Sequence, residues 1–337
     1  MPGGRPVALT FGDRVLDCQP GETVLEAFER HGVALSSSCR SGTCQSCMLQ
    51  AVKGSVPAAA AVGLKPAWRE LGYLLACTCR PSGDLVLQRV GQGLELPTCL
   101  LERTWLSEEV IRLGLEPPGD FSFRAGQFVN LIRDDGLSRP YSLAGLPGDD
   151  SLELHVRILP DGAMSSWLAD APLGTQLRLR GPSGDCVYAC DDREHRLLLV
   201  GIGTGIAPLV GVTRDALRQD HAGPIQIVHA AVRGTQLYLL EPLQQLARQH
   251  PNVSVFGIAL HPEGVPGVLE GELQGLVARL AGGASDPRVL LCGDAPMVNA
   301  LRRQLFLSGV SLGRIGADAF VGSAQAPSPG LRPPPPG

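Results

Sequence analysis

The amino-acid sequence predicts a multidomain protein of α+β and α/β class: a small β-grasp-like unit, an antiparallel β-barrel and a parallel α/β domain. Three observations carry this. Up to residue 93, short alternating segments accompany one helix signal and a loop dense in Ser, Gly, Thr and Cys. From Thr98 to about Tyr188, strand-like runs are separated by Gly, Pro and Asp, the pattern of antiparallel β structure. From His195 onward, apolar runs alternate with helix-length amphipathic segments, which implies parallel strands with right-handed crossovers.

Taken in order, Val7, Leu9 and Phe11 alternate as a strand, and Arg14 to Cys18 returns as its hairpin partner. Thr23 followed three residues later by Glu26 is a capping box, with Val24, Leu25 and Phe28 on one helical face. Barrel strands are expected over 98–106, 110–115 and 127–132. Parallel strands are expected over 196–200, 225–232, 253–258 and 288–291. These readings divide the chain into 6–93, 97–190 and 194–321, with a disordered Pro-rich tail over 322–337.

Composition narrows the class. A chain of 337 residues exceeds one small domain. Its 44% hydrophobic and 18% charged residues suit a soluble globular protein, and a net charge of −4 argues against a nucleic-acid partner. No apolar leader follows Met1, and the longest apolar run, 197–212, is broken by Gly201, Gly203, Gly205 and Pro208. A cytoplasmic protein with no membrane span is therefore expected. In such a compartment ten cysteines point to thiols and metal chemistry rather than disulfides. Of Cys18, Cys79, Cys99, Cys186, Cys190 and Cys292, most read as small buried residues.

Cys39, Cys44 and Cys47, spaced C-x4-C-x2-C, with the distant Cys77, form the most specific pattern. Three thiolates on one tight loop and a fourth from elsewhere suit a [2Fe–2S] cluster. Small loop residues let backbone N–H groups approach the sulfurs and stabilise their negative charge. Zinc is the rival, but its frameworks favour two spaced pairs, and the second pair here would be Cys77-x-Cys79. Cys79 is also an alternative to Cys77 as the fourth ligand.

Four further motifs follow. Arg139-Pro140-Tyr141-Ser142 offers a guanidinium for a phosphate, a ring for stacking and a hydroxyl for a ring nitrogen. Gly162-Ala163-Met164-Ser165 opens a short helix whose N–H groups suit a pyrophosphate. Gly201-Ile202-Gly203-Thr204-Gly205-Ile206-Ala207-Pro208 joins a strand to a helix, as a nucleotide-binding turn does. Leu291-Cys292-Gly293-Asp294 ends the last expected strand, where ligands of open α/β sheets sit.

In this order the motifs resemble the ferredoxin-NADP reductase superfamily, and within it the three-domain reductase components of bacterial oxygenases. The resemblance runs from about residue 6 to Val321. It implies that Cys39, Cys44, Cys47 and Cys77 bind the cluster, and that Arg139, Tyr141 and Ser142 contact FAD, with Ser142 near the flavin N5. Gly162, Met164 and Ser165 would hold the FAD pyrophosphate. Gly203, Thr204, Gly205 and Pro208 would line the nicotinamide nucleotide site. Cys292 and Gly293 would face the nicotinamide, and Phe320 would lie near the flavin. The family often has Gly where Gln45 stands and Pro where Asp294 stands.

The implied activity is an NAD(P)H-dependent electron relay, NADH to FAD to [2Fe–2S] to a partner oxygenase or hydroxylase, by a monomer that docks its acceptor near Arg40 and Ser41. Alternatives are the same relay serving another acceptor, such as a deoxysugar dehydratase, and a non-catalytic redox sensor. NADH is expected because it is the commoner donor in the resembling reductases. NADPH stays open, because Arg233, which pairs readily with a 2′-phosphate, stands where the dinucleotide rule asks for an acid; Tyr238 is equally ambiguous.

Overall fold

The computed structural model describes residues 5–189, 192–283 and 286–321. Cys190 and the Pro-rich tail lie outside the described residues. The chain divides into two compact units, one of residues up to 96 with 130–140, the other of 97–129 with 141–321.

The first unit contains β1 (Val7–Phe11), β2 (Arg14–Cys18), α1 (Val24–Arg30), β3 (Met48–Lys53), α2 (Pro66–Glu70), β4 (Tyr73–Leu75) and β5 (Leu85–Arg89). The strands form one mixed sheet in the order β2-β1-β5-β3-β4, with β1 and β5 parallel, so the fold is β-grasp-like. Thr23 caps α1 as the sequence predicts: its hydroxyl accepts from the Glu26 N–H, and the Glu26 carboxylate accepts from the Thr23 N–H. Such a cap contributes about 1 kcal/mol. The buried face of α1, Val24, Leu25, Ala27 and Phe28, packs with Leu9, Leu49, Leu74 and Leu87. That core fixes α1 and the start of β3, between which the cysteine loop runs.

A second sheet joins β6 (Leu96–Trp105), β7 (Val110–Leu115), β8 (Phe128–Ile132), β9 (Ser138–Ser142), β10 (Leu152–Arg157) and β11 (Gln176–Ser183) in the order β10-β7-β6-β11-β8-β9. β7 pairs antiparallel with both β6 and β10. α3 (Ser165–Asp170) follows β10. β6, β7 and β8 begin and end within a few residues of the expected positions; β6 starts two residues earlier than Thr98, because Leu96 and Pro97 continue its extended backbone.

The third sheet runs β15-β14-β13-β12-β16-β17 and is parallel throughout. Its elements are β12 (Leu197–Ile202), α4 (Ile206–Arg218), β13 (Ile225–Arg233), α5 (Leu240–Gln249), β14 (Val253–His261), β15 (Val268–Glu270), α6 (Leu273–Ala281), β16 (Arg288–Asp294), α7 (Ala295–Leu307) and β17 (Ile315–Phe320). The edge strands β15 and β17 escape the sequence reading: β15 is three residues long, and Ile315 to Phe320 carries Gly and Asp in place of an apolar run. Both faces of β12 are covered, which explains why Leu197 to Val200 shows no alternation. The strand order reverses between β12 and β16, and the turns after these two strands are the third and fourth motifs.

Candidate functional site

Within the first unit the cysteines meet in two pairs. Cys39 and Cys44 are hydrogen-bond partners, and so are Cys47 and Cys77. The N–H groups of Ser41 and Cys44 reach the Cys39 sulfur at 3.4 and 3.3 Å, and the Cys39 N–H reaches the Cys44 sulfur at 3.4 Å. The thiol of Cys44 and these amides hold Cys39 down at about 4, despite burial. Bonding from Cys47 lowers Cys77 in the same way. Among the described residues no three His, Cys, Asp or Glu side chains converge as a site for a single metal ion. Two sulfurs and two sulfurs, ringed by amide donors, fit a two-iron cluster better than a tetrahedral zinc. Cys79 stands apart: fully buried, it lies beside Cys18, and burial pushes its thiol up to about 12.

The loop is braced by groups that sequence reading missed. Asn130 is buried in β8; its amide donates to the Cys44 carbonyl at 2.8 Å, and its oxygen accepts from the Ser46 hydroxyl at 2.9 Å. The available signal was an Asn inside the apolar run Phe128-Val129-Asn130-Leu131-Ile132. Arg40 is ion-paired with Glu29. Gln45 adopts φ 60°, a left-handed conformation that glycine takes without strain, and donates to the Gly63 carbonyl at 3.2 Å.

On β9, strand alternation puts Arg139 and Tyr141 on one face and Ser142 on the other. The Ser142 hydroxyl donates to Asp318 on β17. Burial raises Asp318 to about 6 against that bond. Asp318 pairs in register with Cys292 on β16, so Ser142, Asp318 and Cys292 meet although they lie far apart in the sequence. Cys292 is fully buried, with its sulfur 3.3 Å from that of Cys186, and the Cys186 bond together with burial pushes its thiol far up. Phe320 ends β17, in register with Asp294. The Asp294 carboxylate accepts from the Met297 N–H at 3.3 Å and caps α7, which accounts for an acid at this turn.

Before α3, the Ser165 hydroxyl is engaged inside its own loop: it accepts from the Leu159 N–H at 3.1 Å and donates to the Gly162 carbonyl. A Cβ on Gly162 would stand 2.3 Å from that hydroxyl, and Met164 is buried. A pyrophosphate here would meet backbone rather than these side chains.

The nucleotide turn shows a division of labour. A Cβ on Gly205 would lie 2.1 Å from the Cys292 carbonyl, and one on Gly293 would lie 2.4 Å from the Ile202 carbonyl. These glycines bring the turns after β12 and β16 into backbone contact. Gly203 has φ +56° and open space around its Cβ position. Gly203 and Thr204 are partly exposed while Gly205 and Pro208 are buried, so the former two present the turn's outer surface. Beneath it, His229 is fully buried and held neutral, pushed down by burial to about 3. Tyr238 bonds through its hydroxyl to His155 at 3.0 Å, continuing to Glu153 and Arg112. Burial works against ionisation of Glu153, yet the His155 and Arg112 bonds hold it at about 2.

These arrangements fit a cluster, a flavin and a dinucleotide. Residues 11–82 match the 2Fe-2S iron-sulfur cluster binding domain, 97–188 the oxidoreductase FAD-binding domain and 199–303 the oxidoreductase NAD-binding domain. The protein is an NAD(P)H-dependent oxidoreductase whose cofactors are a [2Fe–2S] cluster, FAD and a nicotinamide dinucleotide. It is 37% identical over 261 residues to the reductase subunit of an aromatic O-demethylase from Amycolatopsis sp., covering 72% of this chain and 78% of the relative. It is 32% identical over 327 residues to the ferredoxin–NAD(P)+ reductase component of the naphthalene 1,2-dioxygenase system of Pseudomonas putida, covering 91% and 96%. The solved cytochrome P450 reductase of Amycolatopsis superposes with a TM-score of 0.66 at 31% identity, covering 94% of this chain and all of that one. The chain belongs to the ferredoxin-reductase superfamily, in the branch of oxygenase reductase components that join a [2Fe–2S] domain to FAD- and NAD-binding domains. No described helix is long and apolar enough to cross a membrane.

Proposed function

We propose that the protein passes electrons from NADH through FAD and the [2Fe–2S] cluster to a separate oxygenase or hydroxylase component, acting as a cytoplasmic monomer. The two-by-two pairing of Cys39 with Cys44 and Cys47 with Cys77, on one chain with flavin- and nicotinamide-binding domains, carries this reading. FAD, when bound, accepts two electrons as hydride and returns them singly, matching a two-electron donor to a one-electron cluster.

In this reading the chain works as three segments, 6–93, 97–190 and 194–321. The four cysteines hold the irons. Arg139 and Tyr141 hold phosphate and ring of FAD, Ser142 meets the flavin edge, and backbone at Gly162, Met164 and Ser165 meets its pyrophosphate. Gly203 and Thr204 approach the dinucleotide, with Gly205 and Pro208 shaping the turn. Cys292 and Gly293 form the floor for the nicotinamide, and Phe320 shields the flavin. Asp318, its carboxyl raised by burial to about 6, accepts from the Ser142 hydroxyl and so stands one hydrogen bond behind it. The relatives that match over most of their length are reductase components of oxygenase systems, which favours that partner over a dehydratase or a sensor role.

Flavin- and cluster-loaded protein should reduce cytochrome c with NADH, bleaching its flavin absorbance in the process. Protein that carries both cofactors yet leaves the flavin oxidised under NADH would overturn the proposal. Co-expression with a neighbouring oxygenase gene product, followed by substrate turnover, tests the partner.

A further inference from the structure

The turn after β13 lacks its own acid, yet two carboxylates close around it from loops elsewhere in the sequence. In dinucleotide folds an acidic residue at the end of the second strand accepts the adenosine ribose 2′-hydroxyl and repels a 2′-phosphate. Here β13 ends on Ala231-Val232-Arg233. Glu109, on the hairpin between β6 and β7, brings one carboxylate oxygen to 3.8 Å from Arg233. Its other oxygen lies 3.3 Å from Arg157 and accepts from the Gln236 side-chain amide at 3.4 Å. On the far side of the turn, Thr235 donates to Glu263 at 2.8 Å.

We propose that Glu109, reaching the end of β13 from the barrel hairpin, is the residue that selects NADH over NADPH. The proposal rests on the reductase reading above. Arg233 alone would attract a 2′-phosphate, because a guanidinium forks onto phosphate oxygens. Paired with Glu109 it is neutralised, and a doubly charged phosphate entering beside it would meet the carboxylate at close range. A ribose 2′-hydroxyl carries no charge and donates to a carboxylate. Glu109 thus supplies across the fold what the second strand omits, and the Arg157 and Gln236 contacts keep its carboxylate at the turn.

The test titrates AMP and 2′-phospho-AMP by calorimetry into flavin- and cluster-loaded wild type, Glu109→Gln, Glu263→Gln, and the double variant Glu109→Gln with Arg233→Ala. The kcat/KM ratio for NADH against NADPH is measured in parallel. Wild type should prefer AMP. Glu109→Gln should shift the ratio of the two dissociation constants toward 2′-phospho-AMP by about tenfold. Adding Arg233→Ala should cancel that gain, which a merely structural role for Glu109 would not produce. An unmoved ratio in Glu109→Gln, or an equal shift in Glu263→Gln, overturns the assignment. Failure of every variant and of wild type to bind either nucleotide would overturn the reductase reading beneath it, a result distinct from an unmoved ratio.

Discussion

The cluster loop and the nucleotide turns solve the same problem, holding backbone against a cofactor, by opposite means. In the loop, left-handed backbone falls on side-chain-bearing residues, Arg40 at φ 52° and Gln45 at φ 60°, as well as on Gly42 at φ 83°. At Arg40 and Gln45 this costs about 1–2 kcal/mol each. The loop keeps them because hydrogen bonds from Asn130, Ser46 and the amides around Cys39 hold its shape. In the nucleotide turns no side chain is tolerated at Gly205 or Gly293, because carbonyls of the facing strand fill the space. One region is kept in place by polar bonds and sulfur, the other by steric closure. The first should yield gradually to substitution, and the second abruptly.

The largest expected effect breaks the second region alone. Gly205→Ala puts a methyl 2.1 Å from the Cys292 carbonyl, so β12 and β16 must separate at a cost on the order of 3 kcal/mol or more. NADH-driven flavin reduction should fall sharply while the cluster's EPR signal survives dithionite reduction. Loss of both signals would show that the two regions do not fail separately. The complementary break is Cys77→Ser: the cluster signal and cytochrome c reduction should vanish, while NADH-driven ferricyanide reduction through the flavin persists.

A smaller effect is expected at Asn130. Asn130→Ala leaves the Ser46 hydroxyl and the Cys44 carbonyl without their partner, which costs about 1–3 kcal/mol for a buried polar group. The measurable outcome is faster loss of cluster absorbance on warming, with flavin content unchanged.

Asp318 is expected to leave a pH signature. Burial raises its carboxyl in the folded protein to about 6, from the ordinary 3.8. Its contribution to stability is therefore complete below about pH 4 and is lost as pH rises through about 6, by roughly 3 kcal/mol in all. Asp318→Asn should flatten the thermal midpoint across this window and reduce the rate of flavin reduction by NADH; parallel pH profiles for variant and wild type would refute the assignment. The smallest effect should come from Gln45→Gly, where relief of left-handed strain is offset by loss of the bond to Gly63, leaving the unfolding free energy from denaturant titration within about 1 kcal/mol of wild type.

Much of this molecule is legible in its sequence because the signals are local. Three of the four paired cysteines sit on one loop, and the Thr23–Glu26 box needs only four residues to announce α1. Alternation marks β1 and β2, and continuous apolar runs mark the interior strands β12, β13 and β16. The edge strand β17 was missed because it carries no such run, and with it went Asp318. Gly205 and Gly293 were legible as glycines, but not as the pair that lets two turns touch.

By itself, then, the sequence determined the order of domains, the class of each cofactor and the sulfur ligands proposed here, since each is written in residue types at fixed short spacing. Only the tertiary structure decided which distant groups complete the sites: Asn130 behind the cysteine loop, Asp318 behind Ser142, and Glu109 against Arg233. The physical reason is that hydrogen bonds and ion pairs act over a few ångströms of space, and strand register and crossover connections decide which residues, often more than eighty positions apart, come within that reach.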